Sequence, residues 1–191
     1  MKVYFIGGTD EFSVQIVENL RQDYGYEVTN VGRTTGHSIP TDTKKIIEEA
    51  LDYDIIVNFT YASGAQLDFT VNMYRELLIK EWKGYFLNFG STIVLHHKGS
   101  MDRITDVWHS IKYHSKKKAV QELGHLISQR FFTNGFRYTQ IQCGMLANAK
   151  MKKLENYRDT CLQATDLSSI LNYLINTPSN WHIHEFMIDA L

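Results

Sequence analysis

The stretch KVYFIGGTDEFS, residues 2–13, decides the fold. Its first five residues have the character of a buried strand, and they lead directly into Gly7-Gly8-Thr9. A helical pattern follows, because apolar residues recur at the spacing of one helix face: Phe12, Ile16, Val17 and Leu20. A strand, a glycine turn and a helix in this order place backbone N–H groups and a helix N-terminus where a pyrophosphate would bind.

The glycine turn departs from a full dinucleotide-binding motif, which needs further glycines for close phosphate approach and for tight packing of helix on strand. Here Asp10 or Glu11, depending on the alignment, occupies the position of the middle glycine, and Ser13 replaces the last one. An acidic side chain beside a phosphate is electrostatically unfavourable. Two interpretations stay open: a phosphate-binding turn, or a strand-to-helix turn that binds nothing.

Strand-like and helix-like segments alternate along the rest of the chain. The predicted strands are residues 2–6, 27–31, 54–60, 84–89, 136–142 and 185–188. The predicted helices begin near Phe12 and near Thr41 or Asp42, and cover residues 66–82, 114–130 and 166–176, the last capped by Asp166 or Thr165. This alternation predicts parallel strands with right-handed crossovers. We therefore expect a single Rossmann-type domain over residues 1–191, a doubly wound α/β fold with a mainly parallel sheet of about six or seven strands and helices on both faces.

Composition and charge exclude several classes of function. A formal net charge of −1 over 191 residues gives no field that would attract nucleic acid or an anionic membrane, and no apolar run approaches the roughly 18 residues of a membrane span. Cys143 and Cys161 fit neither a disulfide framework nor a zinc site, which favours a cytoplasmic protein. Four histidines lack partners at metal-ligand spacing, so we expect structural or surface roles and no metal: His96, His97, His182 and His184.

Tyr113 and Lys117, in YHSKK, are four residues apart near the start of a predicted helix and therefore share one face. A tyrosine beside an ammonium can act as a general acid near neutral pH, because the positive charge favours the phenolate. The alternative is a solvated helix face with a basic run, residues 116–118. The position favours chemistry, since the preceding strand leads to Ser91 at the carboxyl edge of the sheet, where ligands of open α/β sheets bind.

Over essentially its whole length the chain resembles the short-chain dehydrogenase/reductase family. The similar segments, in chain order, are GGTDEFS for the glycine motif, VGRTTG after the second strand, IVNFT for N-N-A-G, FTVNMY for the helix asparagine, NFGS for N-I-S-S, YHSKK for Y-x-A-S-K, and IQCGMLANA for N-P-G-x-V-x-T. In the last segment Cys143 stands for the proline and Asn148 for the threonine, while Gly144 is kept.

The resemblance implies an NAD(P)-dependent oxidoreductase of the carbonyl reductase or alcohol dehydrogenase type, acting on a small carbonyl or alcohol. The catalytic residues that it implies are Asn72, Ser91, Tyr113 and Lys117. The cofactor-binding residues that it implies are Gly7, Gly8, Thr9, Phe12, Arg33, Thr34, Asn58, Phe59, Thr60, Tyr113, Lys117, Gly144 and Asn148. The alternative is a catalytically silent nucleotide-binding or scaffolding protein that keeps the fold.

In this family Tyr113 would exchange the proton with the substrate oxygen, Lys117 would assist it and bind the nicotinamide ribose, and Ser91 would orient the carbonyl. Asn72 would hold the helix and a water molecule. Arg33 predicts NADP rather than NAD, because a guanidinium pairs with a 2′-phosphate. A solvent-facing loop arginine is the alternative.

Two further expectations concern the substrate and the assembly. Residues 92–112 predict a long loop that shapes the substrate pocket with Met101, Trp108 and Ile111, and residues 145–157 would form the opposite lip. The two long helices carry more apolar residues than one core-facing stripe needs, which predicts a homodimer or homotetramer. These residues are Leu67, Phe69, Val71, Leu77, Leu78, Val120, Leu123, Leu126 and Ile127.

Overall fold

The computed structural model describes residues 1–60, 64–92, 107–130, 135–148 and 161–189. The strands in this part of the chain are β1 (Lys2–Ile6), β2 (Glu27–Val31), β3 (Ile55–Asn58), β4 (Tyr85–Phe89), β5 (Arg137–Cys143) and β6 (Glu185–Ile188). They form one parallel sheet in the order β2-β1-β3-β4-β5-β6. The helices are α1 (Glu11–Gln22), α2 (Thr43–Ala50), α3 (Ala65–Ile79), α4 (Val107–Gln129) and α5 (Ala164–Ile175), with a 3₁₀ turn at Arg33–Thr35. The predicted fold class is confirmed: β1 lies inside the sheet, and the chain winds outward from it in both directions.

Helices cover both faces of the sheet, as predicted. One core cluster joins α1 and α5 to residues such as Phe5, Val57 and Leu87, and the other joins α2, α3 and α4 to residues such as Ile56 and Phe86. Because β3 and β4 are covered on both sides, every residue in them is buried. Both cysteines are buried and free. In the described part of the chain, no helix is long and apolar enough to cross a membrane.

Helix α4 begins earlier than predicted, at Val107 rather than at residue 114. No proline or glycine interrupts residues 107–119, so the helical pattern extends backwards without a break. The predicted loop over residues 92–112 is therefore wrong in its last six positions, and Tyr113 lies in the second turn of the helix instead of opening it. Ile111 is exposed, nothing is described of the Trp108 side chain, and Met101 lies outside the described residues, as do His96, His97 and positions 149–157.

The N-terminal cap of α5 also differs from the prediction. Gln163 is the N-cap residue, and Asp166, three positions later, accepts a hydrogen bond from its backbone N–H at 2.8 Å. Asp166 thus completes a capping box from the first turn of the helix. For α2 the predicted Asp42 does precede the helix, although its carboxylate accepts from the Ser38 backbone N–H, at 2.8 Å, rather than from the helix.

A row of buried amide side chains crosses the α3–α4 face of the sheet. Asn58, Asn88 and Gln140 are neighbours in register on β3, β4 and β5, and all three are wholly buried. Asn58 donates to Asn88 at 2.7 Å, and Asn88 donates to Gln140 at 3.0 Å and to the Tyr138 hydroxyl at 3.1 Å. The row lies towards the carboxyl ends of the strands, beneath α4.

Gly124 allows α4 to approach this polar row. A Cβ at position 124 would lie 2.7 Å from Gln140 Oε1 and 3.1 Å from the Tyr138 hydroxyl oxygen. Both neighbours are fully buried, so neither can move into solvent. Glycine in a helix interior costs about 1 kcal/mol relative to alanine. The close packing of α4 on the sheet explains why a glycine nevertheless occupies position 124.

We predict that Gly124→Ala lowers the free energy of unfolding by about 1–2 kcal/mol, because overpacking outweighs the gain in helix propensity. Urea unfolding followed by circular dichroism measures the change. Glu122→Ala, on the exposed side of the same helix, is the control and should stay within about 0.5 kcal/mol of the wild type. A Gly124→Ala variant more stable than the wild type would show that α4 does not pack as described.

Candidate active site

The carboxyl ends of four parallel strands bring the sequence-predicted residues to one edge of the sheet. Gly7 directly follows β1, Asn58 ends β3, Ser91 stands two residues after β4, and Gly144 directly follows β5. This is the edge at which ligands of open α/β sheets bind. The residues that the resemblance selected from separate segments are therefore gathered in one region.

Both glycines of the turn are required by the packing of the protein itself. Gly7 has a φ of +96°, and a Cβ there would lie 2.9 Å from backbone atoms of Phe59 and Thr60. A Cβ at Gly8 would lie 2.2 Å from the Asn30 side chain, whose Nδ2 donates to the Gly8 carbonyl oxygen. The glycines thus have a structural explanation that is independent of any ligand.

Asp10 caps α1. Its carboxylate accepts hydrogen bonds from the backbone N–H of Ser13 at 2.8 Å and from the Ser13 hydroxyl at 2.6 Å. Ser13 is wholly buried, so the residue that replaces the last glycine of the motif is held by the acid that precedes the helix. A carboxylate at a helix N-terminus is stabilised by the helix dipole. The same position would carry negative charge towards a pyrophosphate bound at this terminus.

Lys117 is buried, with 5% of its surface exposed. Its Nζ donates to Gln66 Oε1 at 2.9 Å, and Gln66 Nε2 donates to the Phe89 carbonyl oxygen at 2.8 Å. One glutamine therefore connects α4 to the end of β4, two residues before Ser91. Burial lowers the pKa of Lys117 to about 8, against a smaller opposing effect of Cys143.

Tyr113 and Lys117 are brought together as predicted. The Lys117 Nζ lies 5.9 Å from the centre of the Tyr113 ring, one helical turn away on the same face of α4. Tyr113 is half-buried. The pair consequently presents a hydroxyl group and a desolvated ammonium on one side of the helix.

Ser91 is held through its backbone. Its N–H donates to Gln142 Oε1 at 2.7 Å, and its side chain is half-buried. Asp189, which sequence reasoning missed, follows β6 and accepts from the Thr92 hydroxyl at 3.2 Å. A Cβ at Gly144 would lie 1.8 Å from Asp189 Oδ1, so this glycine also has a packing explanation.

The two predicted asparagines lie in different surroundings. Asn58 is wholly buried, and its Oδ1 accepts from the Thr60 hydroxyl at 2.7 Å, so its side chain is engaged within the sheet. Asn72 is half-buried on α3, and its side chain makes no hydrogen bond to another described residue. It stands six residues after Gln66, which turns it about 120° away around the helix. Gln66 is the α3 residue that contacts Lys117, and the role of Asn72 stays a prediction.

The remaining predicted cofactor residues surround the glycine turn. Arg33 and Thr34 are exposed on the 3₁₀ turn after β2. Thr9 packs against Gly32, because a Cβ at position 32 would lie 2.6 Å from the Thr9 methyl group. The others are the buried Phe12 and the half-buried Phe59, Thr60 and Asn148.

The histidines near β6 form no described metal site. The rings of His182 and His184 are 4.4 Å apart and nearly perpendicular. Burial lowers the pKa of His182 to about 4, with smaller contributions from His184 and Arg137. Among the described residues, no group of three or more His, Cys, Asp or Glu side chains could hold a metal ion.

Comparison with solved structures identifies the architecture. The chain superposes on a 3-ketoacyl-(acyl-carrier-protein) reductase from Brucella melitensis, complexed with NADH, with a TM-score of 0.71 and 15% identity over 98% of this chain and 96% of that one. It superposes on an L-sorbose reductase from Gluconobacter frateurii, complexed with NADPH and L-sorbose, with a TM-score of 0.71 and 11% identity over 99% and 95%. The chain has the short-chain dehydrogenase/reductase fold.

A short-chain dehydrogenase from Leptospira borgpetersenii, with bound NAD⁺, gives a TM-score of 0.68 and 17% identity over 98% of this chain and 91% of that one. No family model matches the sequence, and no curated protein matches it. The similarity to the short-chain dehydrogenase/reductase fold therefore lies in the backbone, while most of the sequence differs.

We predict that one lysine side chain of the protein titrates with a midpoint near pH 8, because burial disfavours its charged form. Nuclear magnetic resonance of protein labelled with ¹³C-lysine measures the midpoint, and Lys117→Met identifies the signal by removing it. Gln66→Glu places a carboxylate beside the ammonium and should raise the midpoint. A Lys117 signal that titrates near the ordinary lysine value of about 10.4 would contradict the burial described here.

Proposed function

We propose that the chain is an NAD(P)-dependent oxidoreductase that acts on a small carbonyl or alcohol, with Ser91, Tyr113 and Lys117 as its central residues. The observation that supports this most strongly is the buried Lys117 ammonium, which Gln66 holds beside Tyr113 at the carboxyl edge of the sheet. Packing alone does not require a charged group there. A desolvated ammonium next to a tyrosine is the arrangement that general acid catalysis by a phenol needs.

The cofactor would lie across the glycine turn and the ends of β2 and β3. Backbone N–H groups at the start of α1 would face the pyrophosphate, and Lys117 would donate to the nicotinamide ribose. The first N–H groups of a helix have no partner within it, although Asp10 here takes that of Ser13. The residues thus fit a dinucleotide, with Asp10 as the unfavourable contact. When bound, the nicotinamide supplies or accepts the hydride.

Side chains of the protein would carry out the proton transfer and stabilise the substrate oxygen. In reduction, the Tyr113 hydroxyl donates its proton to the carbonyl oxygen, and in oxidation the tyrosine takes that proton from the alcohol. The Ser91 hydroxyl donates a hydrogen bond to the same oxygen and stabilises its developing negative charge. Lys117 stabilises the phenolate that remains after proton transfer. Asn72 would be a further residue of the site, and Gln66 would hold Lys117 through its hydrogen bond.

NADP is the preferred cofactor in this proposal, because Arg33 is exposed directly after β2, where a 2′-phosphate would lie. The structural neighbours include complexes with NADH, NAD⁺ and NADPH, so the fold itself accommodates both cofactors. The proposal further includes a cytoplasmic location and a homodimer or homotetramer. Exposed Val71, Ile79 and Leu126 on α3 and α4 support the assembly.

A specific observation favours a second candidate, a catalytically silent protein that keeps the fold for binding or scaffolding. Gly7, Gly8 and Gly144 are all explained by contacts within the protein, and the acid at the α1 terminus opposes phosphate binding. Turnover together with NADPH binding separates the two candidates, because a silent nucleotide-binding protein would bind NADPH without turnover and a scaffold would show neither.

We predict that Tyr113→Phe lowers turnover about 10²–10⁴-fold, because it removes the proton donor and keeps the ring. The assay is NADPH oxidation with a panel of quinones, small ketones and aldehydes, and NADPH affinity, measured by nicotinamide fluorescence, should change little. Lys117→Ala should reduce both turnover and affinity. Tyr173→Phe, on the exposed face of α5, is the matched control. Unchanged turnover in Tyr113→Phe would refute this mechanism.

We also predict that two charges act on different parts of the cofactor. Asp10→Asn keeps a good N-cap residue and removes the negative charge, so the affinities for NADH and NADPH should both rise, about 3–10-fold. Arg33→Ala should lower the affinity for NADPH about tenfold, worth about 1.4 kcal/mol, and leave NADH unchanged.

Fluorescence titration of both variants with both cofactors measures this pattern. Asp23→Asn, at the other end of α1, removes the same charge away from the turn and is the control. Equal affinities of the wild type for NADH and NADPH would overturn the NADP preference, and no response to Asp10→Asn would place the pyrophosphate elsewhere.

A further inference from the structure

We propose that Glu185, acting through the Gln142 amide, is a positioning residue for Ser91. The proposal rests on the proposed function in one respect, namely that Ser91 touches the substrate. It concerns Glu185, which no motif of the sequence includes, and Gln142, which lies in the segment IQCGMLANA but has no role assigned to it there. Glu185 lies at the start of β6, Gln142 lies on β5, and the backbone of Ser91 follows β4.

Two consecutive hydrogen bonds connect the three residues, and each of them is donated towards Glu185. The Ser91 backbone N–H donates to Gln142 Oε1 at 2.7 Å, and Gln142 Nε2 donates to Glu185 Oε1 at 2.9 Å. Gln142 is wholly buried, whereas Glu185 is half-buried. The glutamine therefore has no solvent to satisfy either end of its amide and depends on these two partners.

The carboxylate decides which way the amide points. A glutamine side chain has one end that accepts and one that donates, and the two ends have nearly the same shape. An ionised carboxylate only accepts, so it binds the NH₂ end and leaves the carbonyl oxygen towards Ser91. The reverse orientation would set Nε2 against the Ser91 N–H and the amide oxygen against the carboxylate, which is two repulsive contacts.

The packing around Gln142 keeps the amide next to the end of β4. A Cβ at Gly90 would lie 2.0 Å from Gln142 Oε1, so the absence of a side chain at position 90 creates the space that the amide oxygen occupies. The Gly90 N–H is itself bonded to the Ile141 carbonyl oxygen at 2.7 Å, which fixes the strand end beside Gln142. Ser91 is the next residue, and its position is set by these contacts.

Residues of α4 hold the outer side of Glu185. Gln121 Nε2 donates to Glu185 Oε1 at 2.9 Å, and His125 Nε2 lies 3.4 Å from Glu185 Oε2. Burial on its own raises the pKa of Glu185, but hydrogen bonds from Gln121, Gln142 and His125 outweigh it and keep this pKa below the usual glutamate range. The side chain is therefore an acceptor at neutral pH. Lys118 donates to Gln121 Oε1 at 2.8 Å and orients that second amide from the solvent side.

The direct test follows the backbone N–H of Ser91 in the protein without cofactor. Labelling with ¹³C-carbonyl glycine and ¹⁵N-serine selects amides that follow a glycine, and the sequence has only two Gly-Ser pairs, at 90–91 and 99–100. Ser91→Ala identifies the relevant signal by removing it. Glu185→Gln should shift the Ser91 amide signal and speed its hydrogen exchange, because a neutral amide no longer dictates how Gln142 points.

An exchange of the two residues provides the rescue. In the double variant Gln142→Glu/Glu185→Gln, the carboxylate at position 142 accepts from the Ser91 N–H and from the amide at position 185. The Ser91 N–H thus regains a fixed acceptor, while the second hydrogen bond runs in the opposite direction. Gln142→Glu alone places two carboxylates together and should be the least stable of the set. The double variant should recover the slow hydrogen exchange of the Ser91 amide. His125→Leu, which loosens only the outer contact of Glu185, should give a smaller shift, and it provides an independent variant if Gln142→Glu does not fold.

Turnover supplies the functional readout, with NADPH and 9,10-phenanthrenequinone as the probe. Glu185→Gln should lower kcat about tenfold with little change in the KM for NADPH, and the double variant should restore kcat. Glu48→Gln, which removes an exposed carboxylate of α2 that pairs with Lys44, is the matched control. A Ser91 amide signal that does not shift in Glu185→Gln would overturn the positioning role, and so would a kcat of the double variant no higher than that of its single variants. A wild type that neither binds NADPH nor turns over would instead overturn the proposed function, and the amide experiment would still decide the positioning role.

Discussion

The ammonium of Lys117 lies almost entirely out of solvent, and the amide of Gln66 accepts its hydrogen bond at 2.9 Å. Removing a charged group from water costs several kcal/mol unless the surroundings compensate for it. Gln66 can compensate only because its other end is fixed to the Phe89 carbonyl oxygen. The positions of α3, α4 and the end of β4 are consequently tied together by one amide, and the geometry around Ser91 and Tyr113 depends on it.

The same physical rule organises the neighbouring strands. A buried polar group left without a partner costs about 1–3 kcal/mol, and the buried amides of this sheet occur as connected sets, although Gln140 Nε2 makes no hydrogen bond to a described residue. Asn58, Asn88 and Gln140 form one set, and Gln142 with Glu185 forms another. All of them lie on the α3–α4 side, whereas the buried polar side chains described under α1 and α5 are hydroxyls such as those of Ser13, Thr139 and Ser168. This asymmetry places the groups capable of chemistry on one side of the functional edge.

Local signals in the sequence predicted the fold well. Strand-like runs located the strands of the sheet, and helical periodicity located the helices between them. The four-residue spacing of Tyr113 and Lys117 predicted a contact that forms within one helix. The contacts that complete the site join distant segments: Gln66 and Lys117 are 51 residues apart, and Gln142 and Glu185 are 43 apart. No local pattern marks such pairs, since each glutamine taken alone resembles a surface residue. The start of α4 was predicted too late, because the residues before Tyr113 contain no helix breaker and continue the helix back to Val107.

Packing explains the glycines at this edge of the sheet and does not explain the buried charge of Lys117. Gly7, Gly8 and Gly144 each make room for a neighbouring group of the same protein, so a fold without any ligand would need them too. An apolar side chain at position 117 would fill the same space without the cost of a desolvated ammonium, and replacing a buried charge by a well-packed apolar group is often neutral or stabilising. Groups whose placement opposes stability cluster at functional sites, because their arrangement serves binding or catalysis. The lysine, rather than the glycine turn that first suggests a nucleotide, is therefore the stronger physical argument that this edge of the sheet performs chemistry.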